Sequence, residues 1–211
     1  METNSEVILV HGLWFGSWAM GRLAKKLRAE GFRVRKFDYS TISGDLQSHA
    51  GDLLEFASES GADHLHFVSH SLGGLVTLKM LAASQRLPPG KVVLLGSPLD
   101  GSIVARKSGR VPGAEKLLGK VRLALEQGFS AIQLDRETGM IAGSRAFGLG
   151  VLLGGPGGPG DGTVAVRETL NSGLKNHLIL PVTHTGMLYS REVARQSVYF
   201  LKNGHFDYAS A

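Results

Sequence analysis

A serine hydroxyl, an imidazole that takes its proton and a carboxylate that orients the imidazole are together enough to attack a carbonyl at neutral pH. The 211-residue chain offers such a set, widely separated, in Ser71, His184 and Asp161. Ser71 stands in Ser69-His70-Ser71-Leu72-Gly73-Gly74, after the apolar run His64-Leu65-His66-Phe67-Val68 and before the helical stretch Leu72 to Arg86. A serine on a sharp strand-to-helix turn has its hydroxyl pushed out of the fold, and small neighbours let the backbone make that turn. The usual spelling is Gly-x-Ser-x-Gly. Here Ser69 replaces the first glycine, and it too is small.

His184, in Thr183-His184-Thr185-Gly186, follows the last apolar run of the chain, where a base can reach across to Ser71. The other seven histidines fit the role less well. His64, His66 and His177 fall at strand starts or inside strands, and His49 and His205 lie in or after helices. His70 flanks Ser71 and is expected to point elsewhere, as neighbours on a turn do, while His11 reads as a brace for its own loop. Asp161 heads Asp161-Gly162-Thr163-Val164, between the last two predicted strands. Its rival as the acid is Asp100 in Ser97-Pro98-Leu99-Asp100-Gly101-Ser102, and an Asp-Gly pair is also an ordinary turn signal. Charge developing on a carbonyl oxygen needs backbone N–H donors. Leu72, at a helix N-terminus, supplies one, and Leu13 in His11-Gly12-Leu13-Trp14 is the expected second. Trp14, Phe15, Trp18 and Met187 are the candidate pocket residues, although core packing accounts for the three aromatics almost as well.

These residues need elements to hold them. Glu6 to Val10 is a short, continuously apolar run of the kind buried on both faces of a parallel sheet. A helix over Trp18 to Glu30 stops at Gly31, and a strand over Arg33 to Tyr39 follows. Asp45 to Ser60 reads as a helix, Lys91 to Gly96 as a strand, Met140 to Ala142 as a weaker one, and His177 to Val182 as the last. A helix from Arg191 to Asn203 closes the pattern before Gly204. The alternation predicts a doubly wound α/β fold: a mainly parallel sheet of about six strands with helices on both faces, residues 1–211 forming one domain. Ligands of such sheets bind beyond the carboxyl ends of the strands, where His11, Ser71, Ser97 and His184 fall. Residues 100–136 interrupt the alternation. They read either as a small cap or lid over that pole, or as a crossover helix behind a long loop. In this stretch Leu117, Val121 and Leu125 are about one turn apart. Gly148 to Gly162, rich in glycine and proline, reads as a flexible loop and lacks the Gly-Lys-Thr ending of a phosphate cradle.

Composition removes several other chemistries. With no cysteine, thiolate metal sites, disulfides and a cysteine nucleophile are excluded, and neither a metal nor another cofactor is expected. The net charge of +5 is dispersed, denser only over Arg22 to Arg35 and Arg106 to Arg122, and no nucleic-acid-binding motif accompanies it. A nucleic-acid partner is therefore not expected. Attraction to anionic substrates, or weak contact with a membrane surface, fits better, and a merely solvated basic surface fits best. The polar, acidic start Met1-Glu2-Thr3-Asn4-Ser5-Glu6 lacks the pattern of a signal peptide, and no apolar run approaches the length of a membrane span, so the expected location is cytoplasmic.

Taken together, His11-Gly12, His70-Ser71-Leu72-Gly73-Gly74-Leu75-Val76, Ser97-Pro98 with Gly101-Ser102, and Asp161-Gly162-Thr163-Val164 give the chain a resemblance to the α/β-hydrolases. More narrowly it resembles the bacterial triacylglycerol lipase and GPI inositol-deacylase-like serine esterases. The chain departs from that pattern at Ser69, and at Leu99-Asp100, where a His-Arg-like pair is common. The resemblance implies an α/β-hydrolase fold and the order nucleophile, acid, base, which Ser71, Asp161 and His184 follow. It also implies cleavage of a small-molecule carboxylic ester or lipid through an acyl-enzyme. Thioesterase, lipid deacylase or acyltransferase activity on the same triad, or ligand binding without turnover, are the alternatives. Separating them requires substrates.

Overall fold

The computed structural model describes residues 4–83, 87–108, 115–129, 135–148, 151 and 155–210. The predicted strands form one sheet: β1 (Ser5–Val10), β2 (Arg33–Phe37), β3 (His64–His70), β4 (Val92–Leu95), β5 (Thr138–Gly143) and β6 (Asn176–Leu180). Their order is β2-β1-β3-β4-β5-β6 and every pairing is parallel. All carboxyl ends therefore open at one pole. In β1 the side chains alternate between two cores. Ile8 and Val10 join Phe67, Leu94 and Met140 beneath helices α2 (Leu46–Ser58) and α3 (Leu72–Ala83). Val7 and Leu9 join Val68, Val93 and Ile141 beneath α1 (Gly21–Ala29) and the last helix, Arg191–Asn203. A sheet covered on both faces needs apolar side chains at consecutive positions, which explains the unbroken Val-Ile-Leu-Val of β1.

Side-chain caps set several boundaries. Asp45 accepts the Ser48 amide at 2.8 Å to start α2, and Ser190 accepts that of Val193 at 3.2 Å to start the last helix. That helix stops at Gly204, which adopts φ 78°. Other boundaries differ from the expected ones. Trp18 to Glu30 is not one helix: a 3₁₀ turn over Ser17–Met20 precedes α1, and neither carries a side-chain N-cap bond. Strand β2 ends at Phe37 because Asp38 and Tyr39 turn aside to hold the loop after β1. Asp38 accepts the Ser17 amide at 2.6 Å, and the Tyr39 hydroxyl donates to the His11 carbonyl at 2.9 Å. Strand β5 is longer than the weak run at Met140. Its Gly139 carries no apolar signal, yet a side chain there would collide with Phe200 and Phe206.

Of the interruption over 100–136, residues 109–114 and 130–134 lie outside the described residues, as do residues 84–86 of the predicted helix and 149–150 and 152–154 of the predicted loop. The described part forms α4 (Ile103–Ser108), α5 (Glu115–Leu118), a 3₁₀ turn at Gly119–Val121 and α6 (Arg122–Gln127), which makes the Arg191–Asn203 helix α7. Val121 and Leu125 are buried against the α2–α3 side of the sheet. Among the described residues no helix is long and apolar enough to cross a membrane.

Candidate active site

Ser71 occupies the single-residue turn between β3 and α3 with φ 55°, a left-handed conformation that is costly for a residue with a side chain. Its amide donates to Leu95 in the neighbouring strand at 2.9 Å, which holds the turn against the sheet. Glycine at position 73 lets the first turn of α3 lie on the end of β1, since a side-chain carbon there would stand 2.5 Å from the His11 carbonyl. Ser69 is fully buried, and its hydroxyl shares a 2.7 Å hydrogen bond with Thr77 in α3. The serine that replaces the elbow glycine is thus small enough to fit and is satisfied inside the fold.

His184 lies between β6 and a 3₁₀ turn at Gly186–Leu188. Its Nδ1 is 2.7 Å from Asp161 Oδ2, and its amide donates to the Asp161 carbonyl at 3.0 Å. The other carboxylate oxygen, Oδ1, accepts the amides of Thr163 and Val164 at 2.9 and 2.8 Å, so Asp161-Gly162-Thr163-Val164 is a tight carboxylate-centred turn. Burial alone would raise the Asp161 pKa. The adjacent His184 and the two amides outweigh it and hold the carboxyl below its usual value. Asp100, the rival acid, is exposed, its amide bonds the Glu168 carbonyl at 2.9 Å, and it is not among the cavity-lining residues.

Gly96, at the end of β4 with φ 58°, explains how the Asp161–His184 pair fits. A side-chain carbon there would stand 3.0 Å from Asp161 Oδ2 and 3.2 Å from His184 Nδ1. Met187 lies beneath this pair, buried in the α1–α7 core, and is not among the cavity-lining residues, contrary to the expectation from sequence. The 3₁₀ turn after His184 folds back and directs Met187 at the sheet.

The loop after β1 is braced as expected. The buried His11 ring contacts the Gly12 carbonyl through Nδ1 at 3.0 Å, approaches Asp38 through Nε2 at 3.3 Å and stacks on Tyr39 at 4.5 Å. Burial lowers its pKa, against the opposing pull of Gly12 and Asp38. Trp14 adopts φ 62° and gives its amide to Thr41 Oγ1 at 3.1 Å, while the Phe15 amide bonds the Gly12 carbonyl at 3.3 Å. Among the described residues the Leu13 amide has no such partner. Leu72 opens α3, so its amide has no acceptor within the helix.

Ser71, His184, Leu13, Trp14 and Phe15 line one cavity of about 270 Å³, and Asp161, buried behind it, reaches it through its bond to His184. Val104, Ala105, Leu118 and Leu125 from the 100–136 interruption supply much of the wall, together with Pro98, Phe147 and Val164. Nothing in the sequence marks Val104, Ala105, Leu118 or Phe147 as wall residues, because they come from short helices and loops without a sustained period. A larger, open and polar depression of about 680 Å³, with His64, His66 and Lys91, lies at the opposite pole, away from this chemistry. Among the described residues no group of three His, Cys, Asp or Glu side chains could hold a metal ion.

His70 departs furthest from expectation. It does not point elsewhere: its ring lines the same cavity, 4.6 Å from that of His184, and its Nε2 is 3.0 Å from the His184 carbonyl oxygen. Complete burial, reinforced by His184, pushes its pKa down to about 3.

A sequence profile of the alpha/beta hydrolase family matches residues 7–148, more than half of the chain and inclusive of the Ser71 elbow. The chain belongs to the alpha/beta hydrolase family. Within that family it is 28% identical over 144 residues to the carbendazim hydrolyzing esterase of Nocardioides sp. (strain SG-4G), covering 64% of this chain and 57% of that one. The chain thus spans little more than half the length of this curated relative. Mature lipase BlEst2 from Bacillus licheniformis superposes with a TM-score of 0.77 at 19% identity, over 97% of this chain and 93% of the lipase. Phospholipase PlaB from Legionella pneumophila superposes with a TM-score of 0.69 at 15% identity, over 94% of this chain and 62% of the phospholipase. At such identities these two likenesses concern the fold.

Proposed function

We propose that the protein is a serine hydrolase of carboxylic esters that works through an acyl-enzyme. The observation that carries this reading is the 2.7 Å Asp161–His184 pair set against the cavity that Ser71 enters from its strained turn. Ser71 Oγ attacks the ester carbonyl, and His184 Nε2 takes the proton and returns it to the departing alkoxide. Asp161 holds the Nδ1–H tautomer and stabilises the imidazolium. The amides of Leu13 and Leu72 receive the charge on the carbonyl oxygen. Water, deprotonated by the same imidazole, then attacks the acyl-enzyme, and collapse of the second tetrahedral intermediate frees Ser71 and the acid.

The cavity wall holds no Lys, Arg, Asp or Glu among the described residues. It suits an uncharged, apolar acyl group, held by Trp14 and Phe15 together with Val104, Ala105, Leu118 and Leu125, which act as a small cap. The esterase and lipase names of its relatives agree with this substrate class. Labelling by a fluorophosphonate probe tests the nucleophile directly. The parent protein is expected to label and to hydrolyse p-nitrophenyl esters, and Ser71→Ala to do neither. Full hydrolysis by Ser71→Ala would overturn the assignment, and a parent that never labels would favour binding without turnover.

A further inference from the structure

His70 adjoins the proposed nucleophile, but its side chain is committed to the proposed base. The His184 carbonyl can only accept, so the bond at 3.0 Å places the His70 proton on Nε2. That leaves Nδ1 as a bare acceptor. It is buried and has no hydrogen-bond partner among the described residues. A buried acceptor without a donor is unfavourable, and an apolar side chain of similar size would avoid it. The ring nevertheless fits a space built around it. A side-chain carbon at Gly12 would stand 2.8 Å from Nδ1, and the Phe15 ring packs roughly at right angles to the His70 ring, 6.1 Å between centres. Position 12 therefore has to be glycine to admit His70, quite apart from any approach of the backbone to substrate.

The rest of the His184 environment shows what such a bond can do. His184 belongs to the irregular connection between Leu180, where β6 ends, and the 3₁₀ turn at Gly186. Its imidazole and its amide are both tied to one residue, Asp161, which itself sits on a loop. The bond to the His184 carbonyl comes instead from β3, the strand that ends in the Ser71 turn. This third tie links the base to the nucleophile's own strand.

We propose that His70 is a positioning residue: its Nε2–H grips the main-chain carbonyl of His184 and fixes the imidazole relative to Ser71 and Asp161. The proposal rests on the reading of Ser71, His184 and Asp161 as the triad. A displacement of about 1 Å in such a group lowers turnover by up to about a hundredfold and leaves the apolar wall from Trp14, Phe15, Val104 and Leu125 in place. The ring itself stays neutral at working pH and adds no second positive charge when His184 is protonated.

His70→Met and His70→Gln separate this role from packing, because the two side chains have similar length and only glutamine keeps a donor near the Nε2 position. With p-nitrophenyl butyrate, His70→Met is expected to lose about ten- to a hundredfold in kcat with KM little changed. His70→Gln should recover most of that loss, and the rate of fluorophosphonate labelling should follow kcat in both variants. Equal losses in the two variants, or an undiminished kcat in His70→Met, would overturn the proposal. Nitrogen-15 NMR of the unmodified protein gives a check that needs no variant: His70 protonated on Nε2 supports the bond, and protonation on Nδ1 refutes it. Hydrolysis retained by Ser71→Ala would strike the triad reading itself, whatever the His70 variants do.

Discussion

The Ser69–Thr77 bond predicts that the position where the elbow departs from its common spelling stabilises this chain. Both residues are fully buried and their hydroxyls are 2.7 Å apart, so neither can turn to water if the other is removed. Ser69→Ala leaves the Thr77 hydroxyl without its partner, at a cost of about 1–3 kcal/mol. Thr77→Val strands Ser69 in the same way, with a similar loss. For a chain of this size each kcal/mol lowers Tm by about 2–4 °C, so each single variant should melt about 2–12 °C below the parent. The double variant removes both hydroxyls and should lie within about 1 kcal/mol of the parent, giving a coupling of at least about 1 kcal/mol and up to about 6 kcal/mol if both single penalties are at their upper limit. Ser69→Gly restores the common motif but adds glycine's freedom in a strand, about 0.5–1 kcal/mol beyond alanine, and should be the least stable of the position-69 variants. Urea unfolding of the four proteins in the cycle measures the coupling. Additive penalties, or a Ser69→Gly protein as stable as the parent, would refute the argument. Because neither residue lines the cavity, kcat of the folded variants should be unchanged.

Other consequences follow from the same geometry. Asp161→Asn keeps the shape but offers His184 the wrong partner, and kcat should fall by about 10³–10⁴-fold; a loss under tenfold would remove Asp161 from the proposed mechanism. Gly96→Ala should strain the left-handed turn by about 1–2 kcal/mol and push on the Asp161–His184 pair, with kcat falling about ten- to a hundredfold; a normal kcat in a correctly folded variant would contradict the 3.0 Å approach. Buried His66 and His70 have pKa values near 4 and 3 against 6.5 for the free side chain, so the unfolded chain binds more protons below pH 6.5. Each then removes up to about 1.4 kcal/mol of stability per pH unit as pH falls from 6.5 toward those values. Denaturant unfolding of the parent and of a folded His66→Gln variant between pH 7 and 4.5 tests this, the variant being expected to show the shallower slope.

The parallel sheet is legible because β1, β3 and β4 announce themselves by runs of apolar residues filling two cores, and the first two predicted helices are followed by Gly31 and Gly61. Asp161 is distinguishable from Asp100 because it falls between the last two strands, and the structure pairs it with His184. What escapes the sequence is nonlocal. Strand β5 is underread because Gly139 makes room for Phe200 and Phe206, aromatics far along the chain. Met187 is misplaced because one short turn decides whether it faces the cavity or the sheet. His70 is misread because its direction depends on a carbonyl 114 positions away, and on the space that Gly12 leaves. The pair His70 and Gly12 was visible as letters, but their contact was not.

The two tryptophans of the chain also bear on how the protein is best observed. Trp14 and Trp18 are 51% and 66% exposed, Trp14 on the cavity wall and Trp18 against Phe15, which shares that wall; no indole is buried in either core. Native emission should therefore already resemble that of indole in water, and unfolding should shift its wavelength little. An apolar ligand that covers the mouth should shift the emission to the blue, and replacing Trp14 with phenylalanine should diminish the response. The protein carries an optical gauge of its occupancy, and its folding is better followed by other light.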